Sequence, residues 1–477
     1  MTHPPRIHDL DAFTVALTAI VGDRCSRSES DRAQHGRGET HLPPASPDLV
    51  VYPGTTDEVQ RIVRVCAAHD APIIAYGAGS SLEGHVAAVQ GGISLDMTRM
   101  NRILRTSVED MDATVEAGVT RLQLCRALSG TGATFFIDPG ADATLGGMTS
   151  TGASGTTSVR YGTMRENVLG LTVVLADGSV LRTGGRARKS SAGYDLTRLF
   201  IGAEGTLGIL TEVTVRLHAV PDAIAAVACA FPTVDAAVDA VVALLQSGVP
   251  LARIELLDEL TVGAVNAFSH LGLPDAPMVL LELHAFSAPA IAEQLETVRE
   301  IVAQVEGHIH AEATTEEARA RLWEARHKVY FAGLAMKPGA RSWTTDVCVP
   351  VSHLAVNIRE ARADCLANGI VAPLVGHVGD GNFHLLLLVD PGDAAGLERA
   401  SAVNDRIVQR AIASGGTCTG EHGIGMGKMA SLAKQHGDLL PAMRAIKGAL
   451  DPHDLMNPGK ILGGQAVRQA GRRAGGQ

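Results

Sequence analysis

Regular alternation of apolar and polar positions begins at Asp48. Leu49-Val50-Val51-Tyr52 reads as a strand. Thr55 then opens a helix that places Val59, Ile62, Val63, Cys66 and Ala67 on one face. Glu58, three residues after Thr55, gives a capping-box pattern. Pro72-Ile73-Ile74-Ala75-Tyr76 returns to strand, so this is a β-α-β unit, and it runs straight into Gly77-Ala78-Gly79-Ser80-Ser81-Leu82-Glu83-Gly84. Upstream, a short helix over 12–21 precedes an irregular polar arm from Cys25 to His41. Further strands fit 93–97 and 113–117, and a helix fits 121–128. Residues 171–175 and 180–182 flank Asp177-Gly178, a strong hairpin signal, and 205–217 is another strand-like run.

The pattern changes at Pro221. Strands over 224–231, 252–257 and 278–286 alternate with helices over 234–245 and 289–305. That order suits an antiparallel sheet with helices on one face. A long helix is expected over 315–334, carrying Trp323 and Arg326. The chain ends in helices that loop out through Asp451-Pro452 and Asn457-Pro458-Gly459-Lys460. The stretch after Gly463 reads as a disordered tail.

A chain of 477 residues exceeds one ordinary core at roughly 150 residues per domain. Its 46% hydrophobic and 19% charged content is that of a well-buried globule. The net charge of −10 gives no support for nucleic-acid binding. Seven scattered cysteines with no C-x-x-C pair suggest neither a disulfide framework nor a thiolate metal site. Cys418 lies beside Glu421-His422, where a nucleophile is conceivable, but it reads first as apolar filler. A reducing cytoplasm is the expected setting: there is no apolar leader and no run of ~18 apolar residues. Peripheral contact with the inner face of a membrane, and a homodimer, are both compatible with the sequence.

The candidate chemistry sits in four places. The Gly77–Gly84 loop can turn backbone N–H groups toward an anion, although its spacing is not G-x-G-x-x-G. A second tract from Gly140 to Thr157 is so rich in small and hydroxylic residues that it suits backbone wrapped around an extended polar ligand such as a dinucleotide. His377-Val-Gly-Asp-Gly-Asn-Phe-His384 does not fit one helical face. It fits a turn feeding a strand over 385–389. With Glu421, two imidazoles and a carboxylate make a three-ligand divalent site suited to Zn, Mn or Fe, with Zn preferred. His422 is then the candidate general base, the reverse assignment being His422 as ligand and Glu421 as base.

These pieces resemble the flavoproteins of the vanillyl-alcohol-oxidase/PCMH superfamily, in the branch of FAD-dependent D-2-hydroxyacid dehydrogenases. Pro53-Gly54-Thr55, Tyr76–Gly84, Gly146-Gly147-Met148, Arg160-Tyr161-Gly162, Gly202–Gly208, both His/Glu motifs and Asn457-Pro458-Gly459-Lys460 carry the likeness over residues 35–463. It implies an α+β fold: a PCMH-type FAD-binding domain of two α+β subdomains, a ferredoxin-like antiparallel-sheet cap, and a helical segment returning to the flavin. The expected layout is an arm at 1–45, the FAD domain at 46–220 and the cap with metal site at 221–425. A closing segment at 426–463 and a tail at 464–477 complete it. Tyr76, Gly77, Ala78, Gly79, Ser80 and Ser81 would hold the FAD pyrophosphate. Pro139, Gly140, Thr144, Gly147, Ser150, Gly152, Ala153 and Ser154 would line the cofactor. Glu204, Gly205 and Ile209 would sit near its adenine or ribose end, and Asn457 would close over the flavin.

Ser80 and Ser81 stand where some relatives carry a flavin-linking His, so noncovalent FAD is expected, with His85 the one residue able to upset this. The resemblance makes Arg326 the ligand of a substrate carboxylate and His422 the acceptor of the hydroxyl proton, while Asn382 is either a substrate contact or the cap of its turn. The segment 343–350 looks like the D-lactate branch. It lacks the Lys that hydroxyglutarate enzymes place near Thr344, which favours a short monocarboxylic acid: D-lactate, then glycolate or D-2-hydroxybutyrate. Electrons would pass to a cytochrome, a quinone or another flavoprotein. A metal-dependent hydrolase and a noncatalytic flavin-binding subunit are the rival classes.

Overall fold

Leu49–Val51, Ile93–Asp96 and Ile73–Tyr76 lie side by side as parallel strands in the computed structural model, which describes residues 7–187 and 189–463. Their near-continuous apolar runs match a sheet buried on both faces. Cys25–Ser26 extends this sheet antiparallel to Leu49–Val51, so the polar arm is part of the fold. The helix Leu10–Val21 packs Phe13 and Leu17, both fully buried, into the same core. Thr55 caps the helix Thr56–Ala68 by accepting from Glu58 N. The Glu58 carboxylate does not complete a capping box. It takes the Gly54 N–H and the Arg24 guanidinium instead, since a charged donor outbids a neutral amide.

A five-stranded antiparallel sheet follows, in the order Ile103–Ser107, Asp112–Glu116, Ile209–Arg216, Val168–Val174, Val180–Gly184. The Asp177-Gly178 hairpin is present, with Val174 opposite Val180 and Gly178 at φ 77°. The tract 140–157 was expected to be backbone wrapped on a ligand. It contains a short helix, Leu145–Thr151, whose Leu145 and Met148 are buried. Thr144 caps that helix through Gly147 N, which makes a helix from a sequence rich in poor formers.

These elements, with Glu421 onward, form one compact unit: residues to Ser154, Thr163–Ala219 and the C-terminal part. The other unit is Gly155–Gly162 with Val220–Gly420. Its sheet is antiparallel throughout. The order is His308–Ala313, Ala223–Ala230, Met278–Ala285, Leu251–Leu257, Leu374–Gly376, Asn382–Val389, Arg341–Thr344, and Val347–Cys348 also pairs with Asn382–Val389. The helix expected over 315–334 is two, Glu316–His327 and Val329–Ala335, interrupted at Lys328. The second piece turns to bury Val329 and Ala332 in the core with Trp323, so packing overrides helix continuity. The tail over 464–477 lies outside the described residues.

In the first unit, the C-terminal segment is held by one buried lysine. Lys447, on the helix Leu440–Leu450, donates to Thr206 O, Met456 O and the Asp451 carboxylate. Met456 pairs with Ile73, and Asn457 N donates to Ile73 O. These bonds return the chain to the start of the strand whose far end feeds the Gly77–Gly84 loop.

Candidate active site

The first unit holds a cleft of about 1250 Å³, open to solvent. Its wall includes Tyr76 through Leu82, Pro139, Thr144, Gly147, Ser150, Ala153, Ser154, Glu204, Gly205 and Asn457. Gly140, Gly152 and Ile209 are not on that wall. Ile209 is fully buried in the core while its neighbours Gly208 and Leu210 line the cleft. Successive side chains along a strand point to opposite faces, which separates 209 from 210. Gly79 has φ 70°, and a Cβ there would lie 2.3 Å from Tyr76 Oη. The loop therefore crosses the tyrosine closely with its backbone.

The donor set fits a dinucleotide. Ser81 Oγ and Asn457 Oδ1 are buried on the cleft wall with no protein partner among the described residues. The Asn457 amide nitrogen is committed to His85 O and Glu204 O, so only its oxygen faces a ligand. Buried polar atoms left open at the wall of a cleft are what a polar ligand satisfies on binding.

The arm's His35 lies beneath this loop. Its ring centroid lies 4.3 Å from that of Tyr76 with the planes tilted by 46°, and its nitrogens meet Asp96 Oδ2 at 2.9 Å and Asp31 O at 2.8 Å. Burial alone would lower the imidazole's pKa. The Asp96 hydrogen bond, the Asp31 carbonyl and both carboxylate charges outweigh it and raise the value.

Glu204 is the polar centre of the cleft's far side. Its carboxylate accepts from Ile424 N and Gly425 N, both at 2.7 Å, and lies 3.2 Å from His85 Nε2. That last approach is close enough for an ion pair but off-line for a hydrogen bond. Burial would raise the Glu204 carboxyl. The facing His85 and the two amides more than compensate, and hold it below the usual carboxylate range. The bonds anchor the turn directly after Glu421 and His422, which also line the cleft. Ser154 Oγ donates to Glu421 Oε2 at 2.7 Å. Glu83, which the sequence reading passed over, stands 4.0 Å from His422 Nδ1 and 3.4 Å from Lys428 Nζ.

The second unit holds His377, His384, Asn382 and Arg326. His384 is opposite Val375 in the ladder, and His377 lies two residues beyond Val375 on the same face. Their rings consequently meet edge to face with centroids 5.5 Å apart. His384 Nδ1 faces Thr345 O at 2.9 Å, and His377 Nδ1 faces Glu255 Oε1 at 2.6 Å. An Nδ1 proton given to an acceptor makes Nε2 the basic nitrogen of each ring, the arrangement that metal-binding imidazoles use. Asn382 gives both amide hydrogens to Asp346 Oδ1 and Val347 O. Its buried Oδ1 has no protein partner among the described residues.

Arg326 Nε donates to Glu255 Oε2 at 2.6 Å. Glu255 is fully buried. Burial would raise its carboxyl, but His377 and Arg326 outweigh that and lower it. Its signal in the sequence was a lone acidic residue inside the apolar run Leu251–Leu257.

The chain is similar to known proteins over most of its length. A family described as "FAD binding domain" matches residues 47–184, and one described as "FAD linked oxidases, C-terminal domain" matches 220–461. A probable mitochondrial D-lactate dehydrogenase of Danio rerio is 47% identical over 452 residues, covering 94% of this chain and 91% of its own. A mitochondrial D-lactate dehydrogenase [cytochrome] of Arabidopsis thaliana is 42% identical over 449 residues, covering 94% and 79%. The solved structure of p-cresol methylhydroxylase superposes with a TM-score of 0.78 at 18% identity, over 96% of this chain and 97% of that one, and so shares the fold. The cytoplasmic setting expected from the sequence is overturned by these relatives, which are described as mitochondrial.

Proposed function

The chain belongs to the FAD-linked oxidases, and we propose that it oxidises a D-2-hydroxy acid, D-lactate first, to the 2-oxo acid. The observation that carries this reading is that Glu421 and His422 line the same cleft as the loops fitted to FAD. When bound, FAD supplies the sink for two electrons and the C2 hydrogen of the substrate. Arg326 receives the substrate carboxylate: Glu255 occupies its Nε, and its Nη edge is shaped for two parallel hydrogen bonds. Asn382 contacts the substrate through its amide oxygen, both of its amide hydrogens being committed to Asp346 and Val347. His422 takes the hydroxyl proton as the C2 hydrogen departs.

His377 and His384, with Glu421, are the ligands we assign to a divalent ion, Zn first and Mn or Fe after it. Such an ion lowers the pKa of a bound hydroxyl and brings its proton within reach of an imidazole near neutrality. The word "cytochrome" in the Arabidopsis relative's name supports a cytochrome as the electron acceptor here.

The test is an anaerobic visible spectrum during additions of D-lactate and of L-lactate, before and after chelation. The flavin band should bleach with D-lactate alone, stop responding after chelation, and respond again when zinc is restored. A protein that takes up no FAD, or that bleaches equally with L-lactate, would sink the reading.

A further inference from the structure

Glu255 makes one fully buried bridge between two groups to which separate tasks were assigned above. Oε2 takes Arg326 Nε and Oε1 takes His377 Nδ1, each at 2.6 Å. The bridge follows from strand register. Leu256 opposes Gly376 and Leu257 opposes Val375, so one further step along the ladder brings Glu255 alongside His377. Arg326 reaches it from the helix Glu316–His327, whose Trp323 and Ala325 are buried. A carboxylate taken wholly out of water is costly unless both oxygens are paired. Here each oxygen meets one donor, from a different element.

We infer that Glu255 is a positioning residue that fixes the carboxylate-binding guanidinium and the tautomer of the metal-binding imidazole at once. The inference rests on the roles given to Arg326 and His377 in the proposed function. Held through Nε, the Arg326 side chain cannot swing, and its Nη edge keeps one direction. Held through Nδ1, His377 carries its proton on that nitrogen and presents the Nε2 lone pair. Carboxylate recognition and metal binding thus share one rigid support inside the second unit.

The discriminating variant is E255Q, which keeps the volume and removes one acceptor. Arg326 cannot surrender its proton, so the single amide oxygen goes to Nε and the amide nitrogen faces His377. The imidazole must then carry its proton on Nε2, where a metal needs the lone pair. Zinc affinity of the FAD-loaded protein, measured by competition with a chromophoric chelator, should fall about 10- to 100-fold in E255Q. FAD content should match the parent, because the flavin cleft lies in the other unit. R326Q leaves His377 its acceptor and should keep zinc affinity near the parent while raising KM for D-lactate.

An E255Q zinc affinity within about twofold of the parent overturns the inference. So does an equal loss in R326Q. If E255Q fails to load FAD, E255D replaces it. Its shorter carboxylate cannot span both partners, so zinc affinity and KM for D-lactate both unchanged there would be equally fatal. A parent that binds zinc but does not bleach with D-lactate would remove the substrate reading and leave the Glu255 result standing.

Discussion

Replacing Glu204 by Gln tests whether the turn behind Glu421 and His422 is held by a buried charge. In the parent, one carboxylate satisfies Ile424 N and Gly425 N at 2.7 Å each and faces His85 across 3.2 Å. Gln keeps the volume but offers one oxygen, so one backbone N–H must oppose an amide N–H. A hydrogen bond to a charged group contributes about 1.5–3 kcal/mol, and a buried donor left unmatched costs about 1–3 kcal/mol. The surviving bond also weakens from charged to neutral, so E204Q should lose about 3 kcal/mol. At roughly 2 °C per kcal/mol for a unit of this size, Tm should drop about 6 °C by differential scanning calorimetry of the FAD-loaded protein.

The pH dependence fixes the cause. The folded Glu204 pKa is depressed below its ordinary 4.5, so its contribution is present above 4.5 and is lost as pH falls through the folded value. The deficit of E204Q should therefore be constant from pH 6 to 8 and shrink only below about 4.5. A Tm change under 1 °C at pH 7 would refute the argument. A deficit that vanishes between pH 6 and 8 would do the same, pointing to the His85 imidazole instead of the carboxylate.

Three further outcomes follow from the same geometry. His35 has a raised pKa, so its ion-pair contribution is complete below the unfolded value of 6.5 and is lost as pH rises through the folded value. H35Q should accordingly be less stable than the parent at pH 6, with a gap that narrows by pH 9 in paired melting curves. G79A places a Cβ 2.3 Å from Tyr76 Oη at φ 70°. A cost of about 1–2 kcal/mol for that backbone should weaken FAD binding roughly tenfold or more, read by flavin fluorescence, and unchanged affinity would mean the loop does not contact the cofactor. R326K loses the planar fork and should raise KM for D-lactate at least tenfold in steady-state assays, while zinc content stays at the parent level.

Local patterning carried a good share of this protein. The β-α-β unit of Leu49 to Tyr76, the hairpin at Asp177-Gly178 and the turn between His377 and His384 depend on neighbours a few residues apart, which sequence displays directly. The glycines over 77–84 could be read as a loop after the strand Ile73–Tyr76 for the same reason.

What the chain's one-dimensional pattern could not show was long-range register. The pairing of Leu257 with Val375 and of Leu256 with Gly376 sets Glu255 beside His377 across more than a hundred residues, and apolar alternation is blind to such offsets. The face of Ile209, buried while Leu210 lines the cleft, was decided by which side of its sheet met the core. The helix Leu145–Thr151 formed from poor helix formers because capping and burial outweighed propensity. Asn457 reaches the cleft on a segment tied down by buried Lys447 at Thr206 O and Met456 O and by its pairing with Ile73. The sequence by itself determined which chemical groups this protein has to offer. The tertiary structure decided their partners, because a buried charge is stable only beside the particular counter-charge that folding brings to it.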